Sequence, residues 1–125
     1  MKPRLSVFTG REAKLNKAIF QVLAIEGALT IYEISKKVRI HKSLRDTKYS
    51  VINRRARYLT NKGYIETIKA RRTQAGFQAQ LYQLTLRAYL AITLSKIDLD
   101  KFIEEASEKN IINALTSITP LLDEG

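Results

Sequence analysis

The stretch Ser50-Val51-Ile52-Asn53-Arg54-Arg55-Ala56-Arg57-Tyr58-Leu59-Thr60-Asn61-Lys62-Gly63-Tyr64-Ile65 decides the architecture. Together with Tyr49, its apolar residues Ile52, Ala56 and Leu59 recur at i, i+3, i+7 and i+10. That is the period of an α-helix, and it predicts one over about residues 47–61. Gly63 stands where a glycine commonly ends a helix, because it accepts a left-handed backbone. From Tyr64 the texture changes. Tyr64 to Arg72 and Gln78 to Leu84 are rich in β-branched and aromatic residues and suit two strands. Thr73-Gln74-Ala75-Gly76-Phe77 is short, carries a glycine, and reads as the hairpin tip between them.

Upstream, Thr9-Gly10-Arg11-Glu12 has the spacing of a capping box. Leu15, Ala18, Ile19, Val22, Leu23 and Ile25 then follow helical periodicity, which predicts a first helix over about 11–26, ended at Gly27. Thr30 and Glu33 make a second capping box, and Ile31, Ile34 and Val38 predict a short second helix over 31–38. Arg39 to Asp46 is polar and basic and reads as a loop. Downstream, Thr85 can cap a fourth helix with Leu86, Tyr89, Leu90, Thr93, Leu94 and Ile97 in register. Asp98 can cap a fifth carrying Leu99, Phe102, Ile103 and Ala106. Asn110 to Ile118 predicts a last helical piece, stopped by Pro120.

Three segments resemble the winged-helix transcriptional regulators, broadly the MarR/PadR-like kind. Thr30-Ile31-Tyr32-Glu33-Ile34-Ser35-Lys36-Lys37-Val38 is similar to the second helix of that family. Ser50 to Ile65 is similar to its recognition helix and the following turn, and Tyr82-Gln83-Leu84-Thr85 to the segment that closes its wing. The resemblance covers about residues 12–90. It implies a mainly α fold with a small β-hairpin, a winged helix-turn-helix of three helices plus wing, followed by C-terminal helices. The expected domains are 1–85 for DNA binding and 86–125 as a helical extension that pairs two copies. Two features depart from the family pattern. The link Arg39 to Asp46 is several residues longer than the usual turn, and no glycine follows shortly after Thr85.

Burying one arc of the third helix leaves an opposite arc of Thr47, Ser50, Val51, Arg54, Tyr58 and Asn61, flanked by Asn53 and Arg57. Arginine can donate two hydrogen bonds to guanine and asparagine can pair with adenine in the major groove. The family analogy puts base contacts near the helix start, at Ser50, Val51, Asn53 and Arg54. From Thr47 to Gly63 there are five Lys or Arg and no Asp or Glu. A merely solvated face, the alternative, usually mixes signs to gain i,i+4 pairs. Tyr49 is expected in the core with its hydroxyl at the rim, whereas Tyr58 packs on either the wing or the DNA. Lys69, Arg71, Arg72, Gln74 and Gln78 mark the hairpin as a wing for the phosphate backbone or a minor groove, against the alternative of a charged edge that blocks aggregation. Lys36, Lys37, Arg39, Lys42 and Arg45 are candidates for a clamp on flanking phosphates. Leu86, Leu90, Leu94, Phe102 and Ile103 are the candidate dimer interface, with capping of the module's own core as the other use for these residues.

The charge supports a polyanion partner. The 125-residue chain has a formal net charge of +10. It is unevenly placed: residues 1–97 hold 20 basic and 5 acidic side chains, a balance of +15, and residues 98–125 hold 2 and 7, a balance of −5. An acidic segment is repelled by DNA and should face away from it. The absence of cysteine excludes disulfides and Cys-based zinc sites. His41 has no second His beside it, so no metal and no cofactor are expected, and no nucleophile motif or phosphate loop points to an enzyme. No apolar run approaches a membrane span, and residues 1–10 lack the apolar core of a signal peptide. A cytoplasmic location is therefore the expectation. The composite reading is a sequence-specific regulator of double-stranded DNA, a repressor acting as a homodimer, with any small-molecule effector unspecified. Two other readings stay open: a winged-helix protein-docking module, and a non-specific architectural nucleic-acid-binding protein.

Overall fold

A computed structural model of the chain describes residues 5–72 and 78–122. After a 3-10 turn at Ser6–Phe8 come α1 (Ala13–Glu26), α2 (Ile31–Val38), a second 3-10 turn at Lys42–Leu44, and α3 (Tyr49–Asn61). The strands β1 (Ile65–Arg72) and β2 (Gln78–Leu84) follow, and then α4 (Leu86–Ser95), α5 (Leu99–Glu105) and α6 (Glu108–Leu122). Three helices, an antiparallel hairpin and trailing helices make a winged helix-turn-helix fold.

The second capping box forms as its residues dictate. Glu33 N–H donates to Thr30 Oγ1 at 3.2 Å, and Thr30 N–H donates to the Glu33 carboxylate at 2.9 Å. Two free helix-end donors are thereby satisfied, and α2 starts at the residue expected. Thr30→Ala removes the cap and should destabilise the chain by about 1 kcal/mol, measured as a shift in the urea midpoint. The first box does not form. Thr9 Oγ1 turns back to the Ser6 carbonyl at 3.4 Å, and Gly10 follows at φ +84°. That turn delays α1 to Ala13, with Glu12 at its N-cap and no side-chain cap.

The core gathers Ile19, Phe20 and Leu23 of α1, Ile34 and Val38 of α2, and Ile52 and Leu59 of α3, together with Ile65 and Leu84 of the hairpin. Ile65 lies opposite Leu84 at the base of the wing, and the pairing runs out to Arg72 opposite Gln78, with a register irregularity between Ile68 and Arg71. Leu29 exchanges two backbone hydrogen bonds with Tyr82, 3.1 and 2.8 Å, which ties the wing to the link between α1 and α2. Asn16, almost fully buried, donates through Nδ2 to the Val7 carbonyl at 2.8 Å and holds the N-terminal turn on α1.

The described residues divide into two compact units, 5–95 and 96–122. The sequence reading places the division at residue 85. It falls ten residues later because Ala88 and Ala91 of α4 are buried in the core of the first unit. The start of α4 is held by Thr85, whose hydroxyl donates to the Gly63 carbonyl at 2.6 Å and accepts from Ala88 N–H at 3.3 Å. In the second unit, Asp98 caps α5 by accepting from Lys101 N–H at 3.2 Å. Pro120 does not stop the last helix. It forfeits one backbone hydrogen bond, but its fixed φ is helical, and α6 continues to Leu122.

Candidate nucleic-acid interface

Helix α3 buries one face. Ile52, Ala56 and Leu59 are buried, which turns the other side of the cylinder outward. On that outward side Ser50, Arg54, Arg57 and Asn61 are exposed, and Asn53 is half-buried. Thr47 is half-buried and precedes the helix; its N–H donates to the Leu44 carbonyl at 3.1 Å. Val51 differs from expectation. It is half-buried and packs against the core cluster, which includes Leu44 of the preceding link. Tyr49 differs in the other direction: as the first residue of α3 it is 41% exposed and lies outside the core.

The two remaining cationic features of this helix were not legible as spacing. Arg55 pairs with Glu12 at 3.5 Å and is half-buried, so this arginine braces α3 against the entry to α1. Tyr58 is exposed and lies outside the core cluster. Its ring stands under the Arg55 guanidinium at 4.5 Å and the Lys62 ammonium at 5.6 Å, a cation–aromatic stack at i−3 and i+4. This stack and the Glu12 pair leave Arg54 and Arg57 as the exposed guanidinium groups of α3, and among the described residues neither makes an ion pair.

The long link between α2 and α3 is not slack. Leu44 is buried and pins the second 3-10 turn into the core. Leu44 N–H donates to the His41 carbonyl at 2.9 Å, which closes the turn. Lys42 and Arg45 flank the plug and are exposed, next to the start of α3. The other clamp candidates are engaged within the chain. Lys37 pairs with Glu26 at 3.5 Å, Lys36 lies over the Tyr32 ring at 5.5 Å, and Arg39 Nε donates to the Ser35 carbonyl at 3.4 Å. Lys69, Arg71, Arg72 and Gln78 fall on the wing strands; their side chains, and the whole of Gln74, lie outside the described residues.

Of the dimer candidates, Leu86 and Leu90 of α4 are exposed. Leu94 is half-buried and, with Leu5, Lys62, Tyr64, Arg87, Leu90 and Ala91, lines a shallow groove of about 240 Å³. Phe102 and Ile103 of α5 are exposed. No described helix is long and apolar enough to cross a membrane.

No protein-family model and no curated protein sequence matches the chain. Among solved structures the fold is similar to that of diamide-treated YodB from B. subtilis, with a TM-score of 0.54 and 17% sequence identity. The likeness spans 82% of this chain and 88% of that one. At this identity it speaks for the fold alone.

Proposed function

We propose that this chain is a sequence-specific regulator of double-stranded DNA, a repressor in the manner of the MarR/PadR-like proteins, acting as a homodimer and without catalytic activity. One observation carries the reading. The outward side of α3 presents Arg54 and Arg57 with Ser50 and Asn61, and no acidic side chain lies anywhere between Thr47 and Gly63. A helix with hydroxyl, amide and exposed guanidinium groups on its outward face has the donors that read base edges in a major groove. Its position as third helix, ahead of a hairpin, is where a winged helix presents its reading element. Lys42 and Arg45, held beside it by the Leu44 plug, supply phosphate contacts.

The test is selection from a pool of random duplex DNA at two salt concentrations. An enriched palindrome supports a dimeric reader and gives its half-site spacing. Salt-sensitive retention without enrichment replaces it with an architectural role, and no retention at either salt removes DNA from the account. On a selected duplex, Lys42→Ala with Arg45→Ala should weaken all sequences alike and reduce the slope of log K against log salt by about 3.6, because the two residues make four phosphate contacts in a dimer and each lost contact removes ~0.9. An unchanged slope would take the link off the DNA.

A further inference from the structure

Tyr58 is 43% exposed, yet its ring is held. The Arg55 guanidinium lies 4.5 Å from the ring centre and the Lys62 ammonium 5.6 Å. Arg55 is itself tied to Glu12 at 3.5 Å, so the ring rests on contacts that end at the N-cap of α1. A surface tyrosine that would otherwise exchange rotamers is thereby kept in one place, at the cost of committing two cations to it.

The helix geometry says what this fixed hydroxyl would meet. At 100° and 1.5 Å per residue, Tyr58 stands about 40° around α3 from Arg54 and about 6 Å farther along the axis, on the side of Arg55 and Lys62. A reading helix turns its first residues and its outermost line to base edges. Its flanks and later turns face the groove walls, which are sugar and phosphate. The charge there suits an oxyanion. Arg55 and Lys62 bring two positive charges to the ring against the one carboxylate of Glu12, and no Asp or Glu occurs between Thr47 and Gly63. Cations over a phenol also draw density from the ring and make its O–H a stronger donor.

We propose that the Tyr58 hydroxyl donates to a backbone phosphate of bound duplex DNA, and that Arg55 and Lys62 are positioning residues that hold its ring at the groove wall. This rests on the DNA-reading α3 proposed above and adds to it a sequence-independent anchor made by a neutral group. The experiment measures affinity of the full chain for a selected and a scrambled duplex over a range of salt. Tyr58→Phe keeps the ring and its cations and removes only the hydroxyl. It should weaken both duplexes by roughly 10-fold for each hydroxyl lost. The ratio of the two affinities and the slope of log K against log salt should not change, because a neutral donor displaces no counterion. Tyr32→Phe is the control: this exposed tyrosine of α2 has Lys36 at 5.5 Å from its ring centre and should bind as the wild type. Arg55→Met should cost more affinity when the Tyr58 hydroxyl is present than in the Tyr58→Phe background. All six tyrosines lie in residues 5–95, the body of the chain, so a matching tyrosine-monitored unfolding curve confirms that each variant is folded. A Tyr58→Phe variant that binds as the wild type, or loses affinity for the selected duplex alone, overturns the anchor. An equal loss in Tyr32→Phe does the same, and an equal cost of Arg55→Met in both backgrounds overturns the positioning role. In each of these cases the wild type still binds DNA and the proposed function stands. A wild type retained on neither duplex overturns both.

Discussion

Phe20→Ala is expected to lower the stability of the body by about 3–5 kcal/mol. Phe20 is 2% exposed on α1 and its ring touches two other parts of the fold. Its ring meets Phe8 edge-on with centroids 5.3 Å apart, and Tyr64 at a tilt with centroids 5.6 Å apart. Phe8 belongs to the N-terminal 3-10 turn and Tyr64 to the corner between α3 and β1. Truncation forfeits the transfer energy of a whole aromatic ring and leaves a cavity between elements that are already braced elsewhere. Leu29 is bonded to Tyr82, and Asn16 to Val7, so the walls cannot easily collapse inward. The edge-to-face contacts add to the loss. Urea unfolding followed by tyrosine emission reads this directly, because the chain has no tryptophan and every tyrosine lies in the body. A cost under about 1.5 kcal/mol would mean that the site repacks, and that the aromatic cluster does not hold the N-terminal turn.

The parts of this fold written in local chemistry were readable, and the parts fixed by packing from a distance were not. α2 was legible to the residue because one Thr and one Glu, three apart, both start the helix and satisfy its end, and three apolar residues mark its inner face. The same spacing at Thr9 and Glu12 failed, since Gly10 allows a turn in which the Thr9 hydroxyl finds the Ser6 carbonyl first. On α3 the inner arc of Ile52, Ala56 and Leu59 followed from the 3.6 period alone. Tyr49 obeys that period too, but it opens the helix and the core ends before it. Val51 breaks the period's forecast, since it is half-buried against the core cluster. Nothing in the spacing marks Leu44 as a plug, since it is one apolar residue in a basic run. The Arg55 pair with Glu12 joins residues 43 apart in sequence, a distance over which spacing carries no information. The exposed guanidinium groups that remain follow from which partners the fold has already used.

Arg54→Ala should weaken binding to the selected duplex by ~1–3 kcal/mol, roughly 5–150-fold, and should also relax its sequence preference. The argument begins from contrast among neighbours. Arg55 is half-buried against Glu12 and covers the Tyr58 ring, so its charge is committed within the protein. Arg54 is exposed, one residue earlier and about 100° around the helix, and has no ion pair among the described residues. Such a guanidinium keeps its planar fork for a bidentate contact, which a phosphate accepts without regard to sequence and a guanine edge accepts with discrimination. Arg54→Lys retains the charge and the reach but loses the fork, so it should keep the affinity for non-specific duplex and still lose the preference for the selected site. Arg55→Ala should instead act through the protein, with a modest loss of stability and an unchanged sequence preference. The decisive measurement is the ratio of affinities for the selected and a scrambled duplex at one salt concentration. If Arg54→Ala lowers both affinities equally, Arg54 contacts phosphate and the reading falls to Arg57 and the amides. If the ratio collapses while non-specific affinity holds, Arg54 reads a base.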